Sequence, residues 1–139
     1  MSRVLGISFT LWLVLHAVAV TAAELVAHPA VPIERISSAT ARMAFTMKLL
    51  LWPDGTRVKV FVLPDADPLH SDFVKRRLDL YPRQLRRAWD RRLYSGTGAV
   101  PTEVASVDEM RLRLAETPGG IGYLPEGFPT GELRVLHVD

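Results

Sequence analysis

Two groups of residues stand at spacings that can do chemistry. Ser37, Ser38 and Thr40 open a helical pattern, and Ser71 lies near the start of a later one. Hydroxyls beside the unpaired N–H groups of a first helical turn can hold an oxyanion, and the same side chains serve equally as helix caps. Ser37, Ser38, Thr40 and Ser71 are therefore the candidate contacts for a small anion. The second group is cationic. Lys75, Arg76, Arg77, Arg83, Arg86, Arg87, Arg91 and Arg92 face only Asp79 and Asp90 over the same stretch. Within it, Arg83, Arg86, Arg87 and Arg91 fall away from the Leu85/Trp89 stripe of one helix. Such a face is either simply solvated or a docking surface for an acidic protein or anionic lipid, because clustered guanidinium groups steer and hydrogen-bond anions.

Other polar runs carry less. Ser95-Gly96-Thr97-Gly98 could turn amides towards an anion, but it follows a helix C-terminus, where the dipole is negative and glycine is the usual stop. His28, His70 and His137 are scattered without metal-ligand spacing and are expected to be satisfied or exposed. Asp65 and Asp67 supply too few oxygens for calcium, and Asp67 suits a helix cap. With no cysteine, no nucleophile elbow and no phosphate-cradling loop, the expectation is a binding or interaction protein: no enzyme, no cofactor, no metal.

The first residues set an expectation about compartment. Arg3 precedes an apolar run from Val4 to Val20, and Thr21-Ala22-Ala23 supplies small residues before Glu24, the pattern of a cleaved secretory signal peptide over residues 1–23. The remaining segment, residues 24–139, has the length of one compact domain and no disulfide to hold it. Losing Arg3 lowers the formal charge from +2 to about +1, so bulk charge implies no polyanionic partner. A periplasmic location and the lack of interleaved aromatics both argue against nucleic acid.

The elements that must position these residues alternate in type. Leu25-Val26-Ala27 reads as a strand, and a helix runs from Ser37 or Ser38 through Lys48. Trp52-Pro53-Asp54-Gly55 makes a turn before a strand with Val58, Val60 and Val62 alternating. Asp67-Pro68 opens a helix with Leu69, Phe73 and Leu80 on its apolar side, and Pro82 opens another carrying Leu85, Ala88, Trp89 and Leu93. A strand at Glu103-Val104-Ala105 precedes a helix over 106–116, capped by Ser106 and Glu109 with Met110, Leu112 and Leu114 as apolar positions. Pro118-Gly119-Gly120 breaks it before strands at Ile121–Leu124 and Leu133–Val138. The order β-α-β-α-α-β-α-β-β predicts a single α/β domain with Trp52 and Trp89 in its core.

Several of these runs together resemble a known family. Val31-Pro32-Ile33, Ala44-Phe45 with Lys48, Trp52 with Asp54-Gly55, Val58 with Val60 and Pro64, Phe73, Trp89, Gly96 with Gly98 and Pro101, and Thr117-Pro118-Gly119-Gly120-Ile121-Gly122-Tyr123 are similar to the phosphate-type periplasmic solute-binding proteins. The resemblance implies one lobe of a type 2 periplasmic binding protein, a mixed sheet flanked by helices, and a role tied to phosphate transport. The implied ligand is phosphate or a similar oxyanion, and the implied partner a membrane transporter or sensor protein. A homodimer could supply the lobe that is missing. Two departures accompany the match. The glycine expected before Lys48 is Met47, and the place of the family's anion-gripping loop is taken by Pro64-Asp65-Ala66-Asp67-Pro68-Leu69-His70-Ser71. Its two aspartates repel an oxyanion and Pro68 removes a backbone donor, which favours the alternative of a periplasmic interaction or sensory adaptor that has lost the ligand site.

Overall fold

The structure, a computed structural model, describes residues 22–96 and 98–139. Most of the expected signal peptide (residues 1–21) and Thr97 of the glycine loop lie outside the described residues. The elements are β1 (Ala23–Ala27), β2 (Arg35–Ile36), α1 (Ser38–Phe45), β3 (Lys59–Val62), α2 (Pro68–Leu78), α3 (Pro82–Tyr94), β4 (Thr102–Glu103), α4 (Val107–Glu116), β5 (Gly120–Pro125) and β6 (Arg134–Val138). The strands form one mixed sheet in the order β2-β6-β1-β5-β3-β4. β1 runs antiparallel to both β5 and β6, whereas β3 is parallel to β5 and to β4. The expected α/β domain with a mixed sheet is what forms.

Each helix begins and ends for a local reason. Ser37 caps α1 by accepting from the Thr40 N–H, and Asp67 caps α2 by accepting from the Leu69 N–H. Ser106 accepts from Glu109 N–H at the head of α4, and the Glu109 carboxylate returns to the amide of Ala105. Several expectations shift: the strand expected at Glu103-Val104-Ala105 forms at Thr102–Glu103, and α2 ends at Leu78, before Leu80. α1 stops at Phe45, not Lys48, because the chain reverses through Met47 at φ +64°. β3 does not alternate: Val60, Phe61 and Val62 are all buried, since both faces of the sheet are covered. Leu93 and Leu112, read as apolar-face residues, are more than half exposed.

The two faces of β5 show how the layers meet. Tyr123 points towards α2 and stacks on Phe73 at 4.2 Å, with Phe45 of α1 behind. On the other face Gly120 and Gly122 present no side chain, so Met110 and Leu114 of α4 lie directly on the strand. A Cβ at Gly122 would meet Met110 Sδ at 2.6 Å. Trp52 and Trp89 are core residues, and each indole nitrogen finds a buried carbonyl, Gly119 at 2.9 Å and Phe45 at 2.7 Å.

Gly119 is the tightest point. It holds φ +80°, and a Cβ there would sit 2.1 Å from the carbonyl oxygen of Arg57. Gly119→Ala is expected to destabilise the domain by about 2 kcal/mol or more, through positive φ and overpacking together. Urea unfolding followed by tryptophan fluorescence measures this, and an unchanged midpoint contradicts it.

Candidate functional site

A buried-to-surface polar cluster lies where β3 hands over to α2. Pro64 to Asp67 form the connecting loop, α2 contributes His70, β5 contributes Tyr123 and α3 contributes Arg86. Tyr123 is fully buried, and desolvation pushes its phenol far above the ordinary tyrosine range, so it stays protonated. Its oxygen accepts from the Leu63 N–H at 2.8 Å and lies 2.5 Å from His70 Nδ1. With its one proton on the phenol oxygen, Tyr123 donates to Nδ1, and the imidazole proton belongs on Nε2. Nε2 has no hydrogen-bond partner and lies 3.6 Å from Asp65 Oδ1.

Asp65 is itself gripped by Arg86, whose Nε and second terminal nitrogen donate to the two carboxylate oxygens at 3.0 Å each. The guanidinium also lies over the Trp89 ring at 4.9 Å. The pair is part-exposed, which limits its contribution to stability to about 1 kcal/mol, but its bidentate geometry fixes both side chains. Burial lowers the His70 pKa, opposed by the nearby Asp65 carboxylate and reinforced by Arg86. The cluster therefore holds a neutral imidazole, a neutral phenol and a neutralised carboxylate. Beside it is a hollow of about 160 Å³ whose charged walls are Arg86, Asp90 and Glu103. Two carboxylates against one guanidinium that Asp65 already occupies make a poor seat for phosphate.

The four candidate anion contacts do not gather into one site. Ser37, Ser38 and Thr40 lie at the start of α1, where Ser38 Oγ donates to the Asp139 carbonyl and Ser37 Oγ donates to Thr40 Oγ1. Ser71 is in the first turn of α2. Arg42, in the middle of α1, donates to the carbonyl of Leu78 at the end of α2, so the two helix starts lie at opposite ends of the packed pair. Ser37 and Thr40 do border a hollow of about 310 Å³, but its other walls are mainly apolar, including Ile33, Leu49 and Trp52. Its cation, Arg35, pairs with Asp139 at 2.9 Å.

On α3 the cationic set divides. Arg83, Arg87 and Arg91 are exposed at intervals of four residues, and Arg86 turns to Asp65. No group of three or more potential metal ligands occurs among the described residues, and none of their helices is long and apolar enough to cross a membrane. The buried role of His70 was missed in the sequence. Its signal was the spacing His70, Phe73, Val74, Leu78, which places the imidazole on the buried face of α2.

This architecture recurs in solved structures. An ABC-type phosphate transport receptor from Vibrio cholerae superposes with TM-score 0.67 at 9% identity, over 85% of this chain and 46% of the receptor. A putative phosphate ABC transporter substrate-binding protein from Clostridium perfringens, solved with bound phosphate, gives 0.68 at 12% identity, over 86% of this chain and 45% of that one. PstS from Borrelia burgdorferi gives 0.62 at 16% identity, over 86% and 47%. The fold is that of one lobe of a phosphate-type substrate-binding protein. The chain spans about half the length of these structures. No family model matches the sequence, and no curated protein matches it.

Two outcomes follow from the His70 cluster. Tyr123→Phe leaves the buried Leu63 N–H and His70 Nδ1 without a partner, and is expected to cost about 1–3 kcal/mol in urea unfolding. Because the folded His70 pKa is lowered below its ordinary 6.5, the unfolded chain takes up the proton first on acidification. Stability should thus be level above about pH 6.5 as far as His70 is concerned, and fall below it by at most about 1.4 kcal/mol per pH unit until the folded imidazole also titrates. Urea midpoints between pH 8 and 5 should show this fall in the wild type and a smaller one in His70→Leu. Equal falls in the two proteins would remove His70 as the cause.

Proposed function

We propose that this chain is an exported, periplasmic solute-binding-protein-like lobe belonging to a phosphate-uptake or phosphate-sensing system. The observation that carries this is the match of more than four-fifths of the chain to one lobe of several phosphate-type binding proteins, one of them solved with phosphate in place. One lobe supplies one wall. An oxyanion against a single wall keeps half its water and gains little from the few donors it meets, so tight binding needs a second surface. A second copy of the chain, or a membrane transporter or sensor, is the partner that would provide it. The leader pattern over residues 1–23 supports delivery to the compartment where such systems collect their solutes.

A second role has a specific observation in its favour. Asp65, in the loop leading into α2, neutralises Arg86, and Asp90 and Glu103 border the adjoining hollow. Meanwhile Arg83, Arg87 and Arg91 remain displayed on α3. This arrangement suits an adaptor that contacts an acidic partner more than a receptor acting alone.

Calorimetric titration of the purified exported protein with phosphate, with sulfate and chloride as controls, separates the two when run beside light scattering. The solute-binding role predicts saturable phosphate heat accompanied by a dimer mass, or heat that emerges only with the membrane partner present. A folded monomer that gives no heat in either setting removes oxyanion binding. Arg87→Glu with Arg91→Glu should then abolish partner capture with an unchanged urea midpoint.

A further inference from the structure

The start of β1 carries an arrangement that export would complete. Ala23 is 1% exposed, pairs with Pro125 as the first rung of the β1/β5 ladder, and its carbonyl accepts from Arg77 Nε at 3.1 Å. Its N–H donates to Asp72 Oδ2 at 3.0 Å in a buried setting. The Asp72 side chain is only 7% exposed, and its other oxygen, Oδ1, takes the guanidinium of Arg76 at 2.7 Å. A carboxylate removed from water in this way requires every available donor, and each charged donor bonds about twice as strongly as a neutral one.

The sequence offers three frames that end in alanine, at Ala19, Ala22 or Ala23, with Ala17, Val20 and Thr21 respectively two positions earlier; the middle frame carries a β-branched apolar residue there in place of a small one. Cutting after Ala23 deletes the residue that fills the first rung, leaves Asp72 Oδ2 without its donor and takes the carbonyl from Arg77. Cutting after Ala19 leaves the bond to Asp72 as a neutral amide. Cutting after Ala22 keeps the rung and turns the Ala23 nitrogen into an ammonium. The hydrogen bond that this cut forfeits is the one from the Glu126 N–H to the Ala22 carbonyl, 2.8 Å long, at the outer edge of the ladder.

We propose that a leader peptidase hydrolyses the Ala22–Ala23 bond and that the new α-ammonium of Ala23 is held by the buried carboxylate of Asp72. Water is consumed, the Ala22 carbonyl leaves with the leader as a carboxylate, and the nitrogen stays on Ala23 as a cation. The charges around it are Asp72, Arg76 on the far oxygen, Arg77 on the Ala23 carbonyl, and Glu126, 3.8 Å from Arg77. Processing thereby changes a backbone hydrogen bond into an ion pair that ties the chain start to α2. The inference rests on the export proposed above.

The test uses the full chain, expressed in a bacterium with its own leader peptidase. Intact mass and N-terminal sequencing of the released periplasmic fraction should give Ala23-Glu24-Leu25. A periplasmic protein starting at Glu24 or Val20 overturns the cut and leaves export standing, whereas a full-length chain retained in the cell overturns both. The ion pair has its own readout on the wild-type processed protein. At pH 7.5 its α-amine should react with an amine-methylating reagent about sevenfold more slowly than the free peptide Ala-Glu-Leu, the effect of a one-unit rise in an amine pKa near 7.8. Asp72→Asn should restore the faster rate where that variant folds. Equal rates for wild type and peptide overturn the ion pair.

Discussion

The phenol of Tyr123 is the fixed point of this domain. It stands on the central strand β5, flat against Phe73, with its oxygen between the Leu63 amide and the His70 ring. Those contacts tie the end of β3 and the first turn of α2, neighbours in sequence, to the middle of β5 some 53 to 60 residues later. A phenol buried this completely tolerates no missing partner, so α2 can sit on the sheet in only one register. The direction of the β3–α2 loop follows from that register, and with it the place of Asp65.

The opposite face of the same strand obeys the reverse constraint. Where Tyr123 fills space, Gly120 and Gly122 vacate it, and α4 packs against the strand backbone through Met110 and Leu114. The sheet is therefore asymmetric: a wide aromatic layer on the α2 side, and on the α4 side a close approach of Met110 and Leu114 to bare glycine backbone with Phe61 alongside. Alternation along β5 makes this possible, since successive side chains go to opposite faces. Glycine there is a packing requirement, and at Gly119 it is also a conformational one.

Much of this was legible in the sequence because it depends on neighbours along the chain. The α4 cap from Ser106 and Glu109, the proline starts of α2 and α3, and the glycine break before β5 are local events. What was hidden depends on contacts across the fold. β2 has two residues and exists through its pairing with β6. His70 looked like a scattered histidine until α2 turned it towards a tyrosine 53 residues away. Arg86 looked like one of four equivalent arginines, yet it is held in a bidentate pair by Asp65, 21 residues earlier, while still exposed. Of the hydroxyls read as anion contacts, Ser37 was legible as a cap for the same local reason. Whether they also meet a ligand depends on a partner surface that local sequence does not encode.

The Asp65–Arg86 pair decides how the solute-binding role must be framed. A guanidinium that binds a ligand oxyanion has to be free of competing carboxylates, or else exchange one for the other. Here the carboxylate belongs to the protein, is held by two hydrogen bonds and is tethered by a short loop to the α2 cap, so its effective concentration at Arg86 is far above that of any dissolved anion. Phosphate could displace it only by bringing contacts that Asp65 lacks, and one wall of a lobe has few to give. Arg86 thus favours the closed pair until a second surface adds donors on the open side. The electrostatics of a single loop set the condition the proposed oxyanion role must meet: donors from a second surface that outcompete Asp65.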